Sequence, residues 1–254
     1  MAEPLLEVEN LTVSFDGFKA LDDLSLSVMP GEVRVLIGPN GAGKSTLLDA
    51  IIGRVHPAGG RILFKGEDIT RLPEYQIVRR GICRKFQTPG VLEGLSVEEN
   101  LVIAARQRRH WWAALDSALT PGEREQVDAT LKLIGLEEKR GRLAAHLAHG
   151  EKQWLEIGMV VAARSELLLL DEPAAGMTRH EASLTADLIS RLRGQRALVV
   201  IDHDMNFVEQ LDAPVSVLHM GKLLREGSVA EVRSDPRVAA VYLGRAEEPQ
   251  YAYA

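Results

Sequence analysis

The stretch Gly38-Pro39-Asn40-Gly41-Ala42-Gly43-Lys44-Ser45 decides the fold of this chain. It matches the phosphate-loop pattern G-x-x-x-x-G-K-[ST] at every specified position, with a strand pattern before it and a helical pattern after it. The glycines let the loop bend until its backbone N–H groups point at phosphate oxygens, and the positive end of the following helix adds to that attraction. The stretch therefore predicts a binding site for a nucleoside triphosphate.

Within this loop, Lys44 is expected to reach the β- and γ-phosphates, and the Ser45 hydroxyl is expected to ligate Mg²⁺. A dinucleotide-binding loop is the nearest alternative, because Gly41-Ala42-Gly43 begins like G-x-G-x-x-G. Thr46 stands where that pattern needs its third glycine, and a lysine suits a triphosphate better. We therefore predict a nucleoside triphosphate as the ligand, with Thr46 added to residues 38–45 as its binding set.

An acidic pair, Asp171-Glu172, follows four consecutive leucines that have the pattern of a buried parallel strand. Such a strand would deliver Asp171 to Mg²⁺ and place Glu172 where it polarises the attacking water as a general base. Alone, an apolar run ending in Asp-Glu shows only where a strand ends. Together with the upstream loop it predicts the second half of an ATP-hydrolysing site.

The composition is that of a globular protein. The chain has 254 residues, 46% apolar and 26% charged, with a formal net charge of −6. The negative charge argues against a general nucleic-acid binder. The single cysteine, Cys83, excludes an internal disulfide and favours a reducing compartment, and the N-terminus lacks a signal-peptide pattern, so we expect an intracellular protein.

Strand and helix patterns alternate along the chain, which predicts an α/β fold. The segment 5–15 has the alternation of a strand, and 197–201 has the pattern of a buried parallel strand. Residues 88–164 are helical in pattern, which suggests an inserted subdomain. We therefore predict one domain, with a core lobe of about 1–87 and 165–254 and a helical subdomain of about 88–164.

Further motifs follow in a fixed order, and with them the chain resembles the ATP-binding subunits of ABC transporters over nearly its whole length. Gln87 stands at the Q-loop position, and Leu-Ala-His-Gly-Glu at 147–151 stands at the signature position, usually Leu-Ser-Gly-Gly-Gln. Residues 173–178 fill the D-loop, His203 the switch histidine and Phe15 the adenine-stacking aromatic. The resemblance implies a P-loop NTPase core with an inserted helical subdomain and an N-terminal antiparallel β region.

The resemblance also implies roles. Gln87 would contact Mg²⁺ or the attacking water and link to the membrane subunits, and His203 would hold the water and the γ-phosphate. Phe15 would stack on adenine, with Phe18 as the alternative. A helix beginning around Lys152 would direct its positive end at an ATP bound to a second subunit. The signature residues expected at that ATP are Ala148, His149, Gly150 and Glu151.

This signature departs from the usual pattern. Ala148 lacks the serine hydroxyl, His149 replaces a glycine and Glu151 replaces a glutamine, while Thr178 stands in place of the D-loop aspartate. We expect a weaker contact with the second subunit's ATP, which the His149 imidazole would restore in part.

Residues 150–159 and 173–177 look like the ATP-binding subunit of bacterial urea importers, so urea is the predicted cargo and branched-chain amino acids are the alternative. The implied partners are two membrane-spanning permease subunits, a sister ATPase or a second copy of this chain, and a periplasmic binding protein. The implied place is the cytoplasmic face of the bacterial inner membrane.

Two other classes fit the sequence less well. ABC ATPases of DNA repair or translation usually carry tandem ATPase domains or coiled-coil arms, which are missing from this pattern. A P-loop kinase would need neither the signature nor the switch histidine. Nucleic acid is therefore not expected as a partner.

Overall fold

The computed structural model describes residues 3–85, 90–106 and 119–243 of the chain. Its strands are Leu6–Phe15 (β1), Phe18–Val28 (β2), Val33–Ile37 (β3), Gly59–Phe64 (β4), Glu67–Asp68 (β5), Ile82–Lys85 (β6), Leu167–Asp171 (β7), Ala197–Ile201 (β8), Val215–His219 (β9) and Lys222–Gly227 (β10). Its α-helices are Lys44–Ile51 (α1), Glu74–Arg79 (α2), Val97–Ala105 (α3), Pro121–Ile134 (α4), His149–Ala162 (α5), Arg179–Leu192 (α6), Met205–Leu211 (α7), Val229–Ser234 (α8) and Pro236–Leu243 (α9).

A six-stranded sheet forms the centre, in the order β10-β9-β3-β8-β7-β6. Strands β9, β3, β8, β7 and β6 are parallel, and β10 closes the edge as the antiparallel half of a hairpin. Because β3, β8 and β7 are adjacent and parallel, their carboxyl ends meet at one edge, where such sheets bind their ligands. That edge carries the phosphate loop after β3, Asp171 at the end of β7 and His203 just after β8.

The N-terminal sheet is antiparallel, in the order β2-β1-β4-β5, which confirms the predicted antiparallel region. Strands β1 and β2 are joined by Asp16 and Gly17, both at positive φ, as a two-residue hairpin turn requires. Phe15 and Phe18 are therefore opposite each other in register. Strand β2, which the sequence reading did not identify, fixes this pairing.

Two apolar clusters lie on opposite sides of the central sheet. Alternate residues of β7 enter each one: Leu168 and Leu170 pack towards helices α3–α7, while Leu167 and Leu169 pack towards the antiparallel sheet and α1. Every residue of β7 and β8 is buried. Burial on both faces explains why these strands read as unbroken apolar runs.

Helices α3, α4 and α5 pack on one another. The sequence pattern S/T-x-x-E, which predicts a capping box, occurs at Ser96 and Thr120 and begins α3 and α4, and Gly135 at φ 68° ends α4. Helix α5 begins at His149, three residues before the predicted Lys152, because the Glu151 carboxylate accepts the Ala148 N–H at 3.1 Å and caps the earlier turn. Across the described ranges, no helix combines the length and the apolar character needed to cross a bilayer.

Leu168→Ala should lower the free energy of unfolding by about 2–5 kcal/mol, because it leaves a cavity beneath a strand with no solvent exposure. Leu184→Ala, at a leucine that is 40% exposed, should change it by less than about 0.5 kcal/mol. Urea denaturation of the two variants checks this. Equal losses would contradict the placement of Leu168 in the core.

Candidate functional site

The phosphate loop needs its glycines for different reasons. A Cβ on Gly38 would lie 2.2 Å from the Leu218 carbonyl oxygen, and one on Gly43, at φ 102°, would lie 2.6 Å from the Ala20 carbonyl oxygen. These two positions have no room for a side chain. Gly41, at φ 80°, would carry its Cβ into open space. The loop is thus closely packed from behind and open on the side where a phosphate would approach.

The loop is held in a closed shape by Lys44, whose Nζ donates to the carbonyl oxygens of Gly38 at 2.6 Å and Pro39 at 3.0 Å. Helix α1 begins immediately after, with no side-chain cap and no acidic residue in its first turn. Its N–H groups and its positive end are therefore directed at the loop, an arrangement that suits an anion.

A cleft of about 400 Å³ runs along the loop. It contains residues 40–46 of the predicted ATP-binding set, together with Asp171 and Glu172. Gly38 and Pro39 do not line it, because they lie behind the loop and contribute the carbonyls that hold Lys44. Phe15 and Phe18 both line the cleft, 48% and 69% exposed, so the fold brings both aromatic candidates to the same place.

Asp171 is buried, with 2% exposure, and its Oδ2 accepts from Arg84 Nη2 at 2.8 Å. The same guanidinium donates to Asp49 Oδ1 at 2.6 Å. Arg84 thus joins a carboxylate of α1 to the end of β7. Sequence reasoning missed Arg84, because the strand Ile82–Lys85 has two basic residues among four and carries no motif that marks either one.

Glu172 has φ 47°, a left-handed conformation that non-glycine residues adopt at a cost and that clusters at functional sites. Its N–H donates to the Ile201 carbonyl at 2.8 Å, which fixes the backbone, and its Oε1 lies 3.5 Å from His203 Nδ1. Both side chains are accessible, with 34% exposure for Glu172 and 69% for His203. Both side chains are therefore open to water; Glu172 lines the cleft, whereas His203 lies beside Glu172 without lining it.

Asp202 was not singled out from the sequence. It is 3% exposed, and its Oδ1 accepts the N–H groups of His203 at 2.8 Å and Asp204 at 3.0 Å, which shapes the turn that presents His203. Its Oδ2 is buried and, among the described residues, has no hydrogen-bond partner. Burial raises the pKa of this carboxyl above its ordinary 3.8, and the nearby Glu172 acts in the same direction.

The signature segment lies outside this cleft, at the start of α5. Gly150 packs against Glu181, since a Cβ there would be 2.6 Å from Glu181 Oε1. His149 Nε2 lies 3.2 Å from the Ala175 carbonyl oxygen, so this side chain contacts the loop at 173–178 of its own chain. Thr178, which replaces the D-loop aspartate, caps α6 through a full capping box with Glu181.

Mg²⁺ fits the donor set at the cleft. Oxygen ligands are what the ion requires, and Ser45 and Asp171 supply a hydroxyl and a carboxylate beside the loop. No group of three or more metal-ligating side chains occurs in the part of the chain that the structure describes. That agrees with an ion held by one carboxylate together with substrate phosphates. Gln87, the third predicted metal ligand, lies outside the described residues.

A family model described as "ABC transporter" matches residues 21–175, and one described as "Branched-chain amino acid ATP-binding cassette transporter" matches residues 226–248. The chain belongs to the ABC transporter ATP-binding family. Its members hydrolyse ATP, and those of importers dimerise and work with membrane permease subunits.

Similar proteins extend over the whole cassette. The high-affinity branched-chain amino acid transport ATP-binding protein LivG of Escherichia coli is 36% identical over 97% of this chain and 100% of its own length. BraF of Pseudomonas aeruginosa, of the same description, is also 36% identical over 97% and 100%. A crystal structure of an ABC-transporter cassette in its ADP conformation has a TM-score of 0.82 and 31% identity, covering 96% of this cassette and 100% of that one.

These comparisons confirm the predicted fold and the ATPase class. They support branched-chain amino acids, the alternative cargo, better than urea, because LivG and BraF are named for the former.

Asp202→Asn should raise the stability of the cassette at neutral pH. Because folding raises the pKa of this carboxyl, its own contribution to the free energy of unfolding falls as the pH rises above 3.8, the unfolded value. Asparagine keeps the Oδ1 acceptor and removes that loss. Urea denaturation at pH 4.5 and pH 7 should therefore show a gain for the variant that is larger at pH 7.

Asp204→Asn is the matched control, since this exposed residue begins α7 through its side chain and asparagine caps a helix equally well. It should show no gain that grows with pH. If the free energy of unfolding of Asp202→Asn changed between pH 4.5 and pH 7 by the same amount as that of the wild type, this result would contradict a raised pKa at Asp202.

Proposed function

We propose that this chain is the ATP-hydrolysing subunit of a bacterial importer in the branched-chain amino acid branch of ABC transporters. The observation that carries the proposal is the position of Glu172, which lines the same cleft as the phosphate loop and whose Oε1 lies 3.5 Å from His203 Nδ1. A phosphate loop followed by a helix would by itself support only the binding of a nucleotide. A carboxylate with an imidazole at this position supports hydrolysis.

Each side chain has a task in that reaction. Glu172 accepts a proton from the water that attacks the γ-phosphate, and His203 holds that water and the phosphate. Lys44 exchanges its two loop carbonyls for β- and γ-phosphate oxygens and offsets their charge. Ser45, Asp171 and Gln87 would hold Mg²⁺, which supplies charge neutralisation when bound. Phe15 or Phe18 stacks on adenine.

A second nucleotide-binding subunit completes the site. Helix α5 presents its N-terminal end at residues 148–151, outside the cleft of its own chain, where it is available to an ATP held by a sister ATPase or a second copy. Ala148 offers no hydroxyl there, and the contact of His149 with Ala175 makes this imidazole a support for the neighbouring loop as well. Backbone N–H groups of α5 then provide the main contact.

The proposal includes the organisation of the complex. Two permease subunits would dock near Gln87, between a core lobe of about 1–87 and 165–254 and a helical subdomain of about 88–164. A periplasmic binding protein would deliver the cargo from the other side, and this subunit would lie at the cytoplasmic face of the inner membrane.

Branched-chain amino acids are the cargo that the similar proteins support, through their names and through the match at residues 226–248. Urea is the second candidate, and a specific feature favours it: the segment 150–159, whose sequence looks like that of urea importers. Because this subunit would not touch the cargo, the chemistry of its ATP site favours neither branched-chain amino acids nor urea.

Glu172→Gln should bind MgATP normally and hydrolyse it ~10²–10⁴-fold more slowly, because the variant loses the proton acceptor. Single-turnover ATP hydrolysis and ATP titration measure the two quantities. Lys44→Ala is the contrasting variant and should weaken ATP binding itself. Turnover of Glu172→Gln near the wild-type rate would remove Glu172 from the mechanism.

Cargo is tested on the intact complex, purified from membranes through a tag on this chain and reconstituted in vesicles. Uptake of labelled leucine that requires internal ATP, with no uptake of labelled urea, is the expected result. The reverse result would assign the complex to urea. ATP hydrolysis stimulated by nucleic acid, without uptake of either compound, would overturn the importer proposal.

A further inference from the structure

A buried ion pair joins the central sheet to the signature helix. Lys85, the last residue of β6, is 5% exposed, and its Nζ lies 3.3 Å from Oε2 of Glu156 on α5, which is 7% exposed. Isolated charges at such depth would be costly, and a buried pair is at best a weak source of stability. Burial raises the pKa of the Glu156 carboxyl, and Lys85 opposes that rise. What the pair provides is therefore a fixed geometry between β6 and α5.

The Glu156 carboxylate holds two points of the chain at once. While Oε2 faces Lys85, Oε1 accepts the N–H of Gly90 at 2.9 Å. Lys85 and Gly90 stand immediately before and after residues 86–89, which include Gln87. A movement of α5 would thus be passed to both ends of that short segment through one side chain.

Gln153, one turn earlier on α5, connects the same lysine to a second segment. Its Oε1 accepts from Lys85 Nζ at 2.8 Å, and its Nε2 donates to the Ala175 carbonyl oxygen at 3.0 Å. The Ala175 N–H in turn donates to the Glu172 carbonyl oxygen at 3.2 Å. The loop that follows the proposed catalytic base is therefore also tied to α5.

We propose that Lys85, Gln153 and Glu156 are positioning residues, which make the placement of Gly90 and of the loop after Glu172 follow the position of α5. This inference rests on the proposed ATPase function. It adds a physical link between the N-terminal end of α5, which would contact a second subunit's ATP, and the loop after Glu172 in this subunit's own site. None of the three residues lines the cleft at the phosphate loop.

The test replaces both members of the pair by apolar side chains of similar length, in the double variant Lys85→Met with Glu156→Met. Replacing both charges of a buried pair by apolar side chains is usually tolerated, whereas removing one charge leaves the other buried without a partner. The KM for ATP should stay within about twofold of wild type, whereas kcat should fall by at least ~10-fold, since small misplacements of catalytic groups cost rate. The single variant Lys85→Arg, which keeps the positive charge opposite Glu156, should have a kcat between those of the double variant and the wild type.

Gln153→Met is a second variant, which keeps the Lys85–Glu156 ion pair and removes the hydrogen bonds of the Gln153 amide to Lys85 and Ala175. It should lower kcat with an unchanged KM, and it decides the matter if the double variant does not fold. Lys152→Met is the matched control: it removes an ion pair with Glu93, with a 2.6 Å N–O distance, from the same helix and should keep wild-type kcat and KM.

Amide hydrogen exchange supplies a readout that a purely structural role would not move. In a Glu172→Gln background, MgATP should protect peptides containing Gly90 and residues 173–178, and Gln153→Met should weaken the protection of the second peptide alone. Wild-type kcat and wild-type protection in Gln153→Met and in a folded double variant would overturn the inference. Full turnover by Glu172→Gln would instead overturn the proposed function, so the two failures are distinct.

Discussion

The chain passes from β3 into α1 with no space for a side chain at Gly38, whose Cβ would lie 2.2 Å from the Leu218 carbonyl oxygen of β9. A Cβ on Gly43 would lie 2.6 Å from the Ala20 carbonyl oxygen of β2, and the Gly221 N–H donates to the Ala42 carbonyl oxygen at 3.0 Å. The phosphate loop is therefore fixed by a strand of each sheet and by the β9–β10 turn. Because β2 must approach this closely, the β1–β2 hairpin carries its two phenylalanines to the cleft.

Charged groups around the cleft divide into buried and accessible ones. Asp171 and Asp202 are buried, and their bonds to Arg84 and to backbone N–H groups hold the strand ends in place. Glu172 and His203 are accessible and face the same space. This division matches the needs of a hydrolytic site, in which rigid groups position a metal and a turn while the reacting groups remain open to water.

The departures at the signature and the D-loop are each accommodated locally. Glu151 caps α5 although Ala148 has no hydroxyl, Thr178 caps α6, and His149 contacts the loop at 173–178. These substitutions therefore leave the helix ends well formed. The contact of His149 with Ala175 joins α5 to the core, as the buried Lys85–Glu156 pair also does.

The sequence by itself determined the phosphate loop, the strand that carries Asp171, the capping boxes of α3, α4 and α6 and the α/β class, because each depends on local spacing, propensity or a short motif. It missed β2, and it placed the start of α5 three residues late, since the Glu151 cap looks like part of a motif rather than a helix signal. Tertiary structure alone decided that Arg84 meets Asp171, that Asp202 is buried beside His203 and that Glu156 faces both Lys85 and Gly90. Arg84 and Asp171 are 87 positions apart, and Gly90 and Glu156 are 66 positions apart. Only the packing of parallel strand ends against one another and against α5 brings such residues together, and only this packing determines how deeply Asp202 is buried.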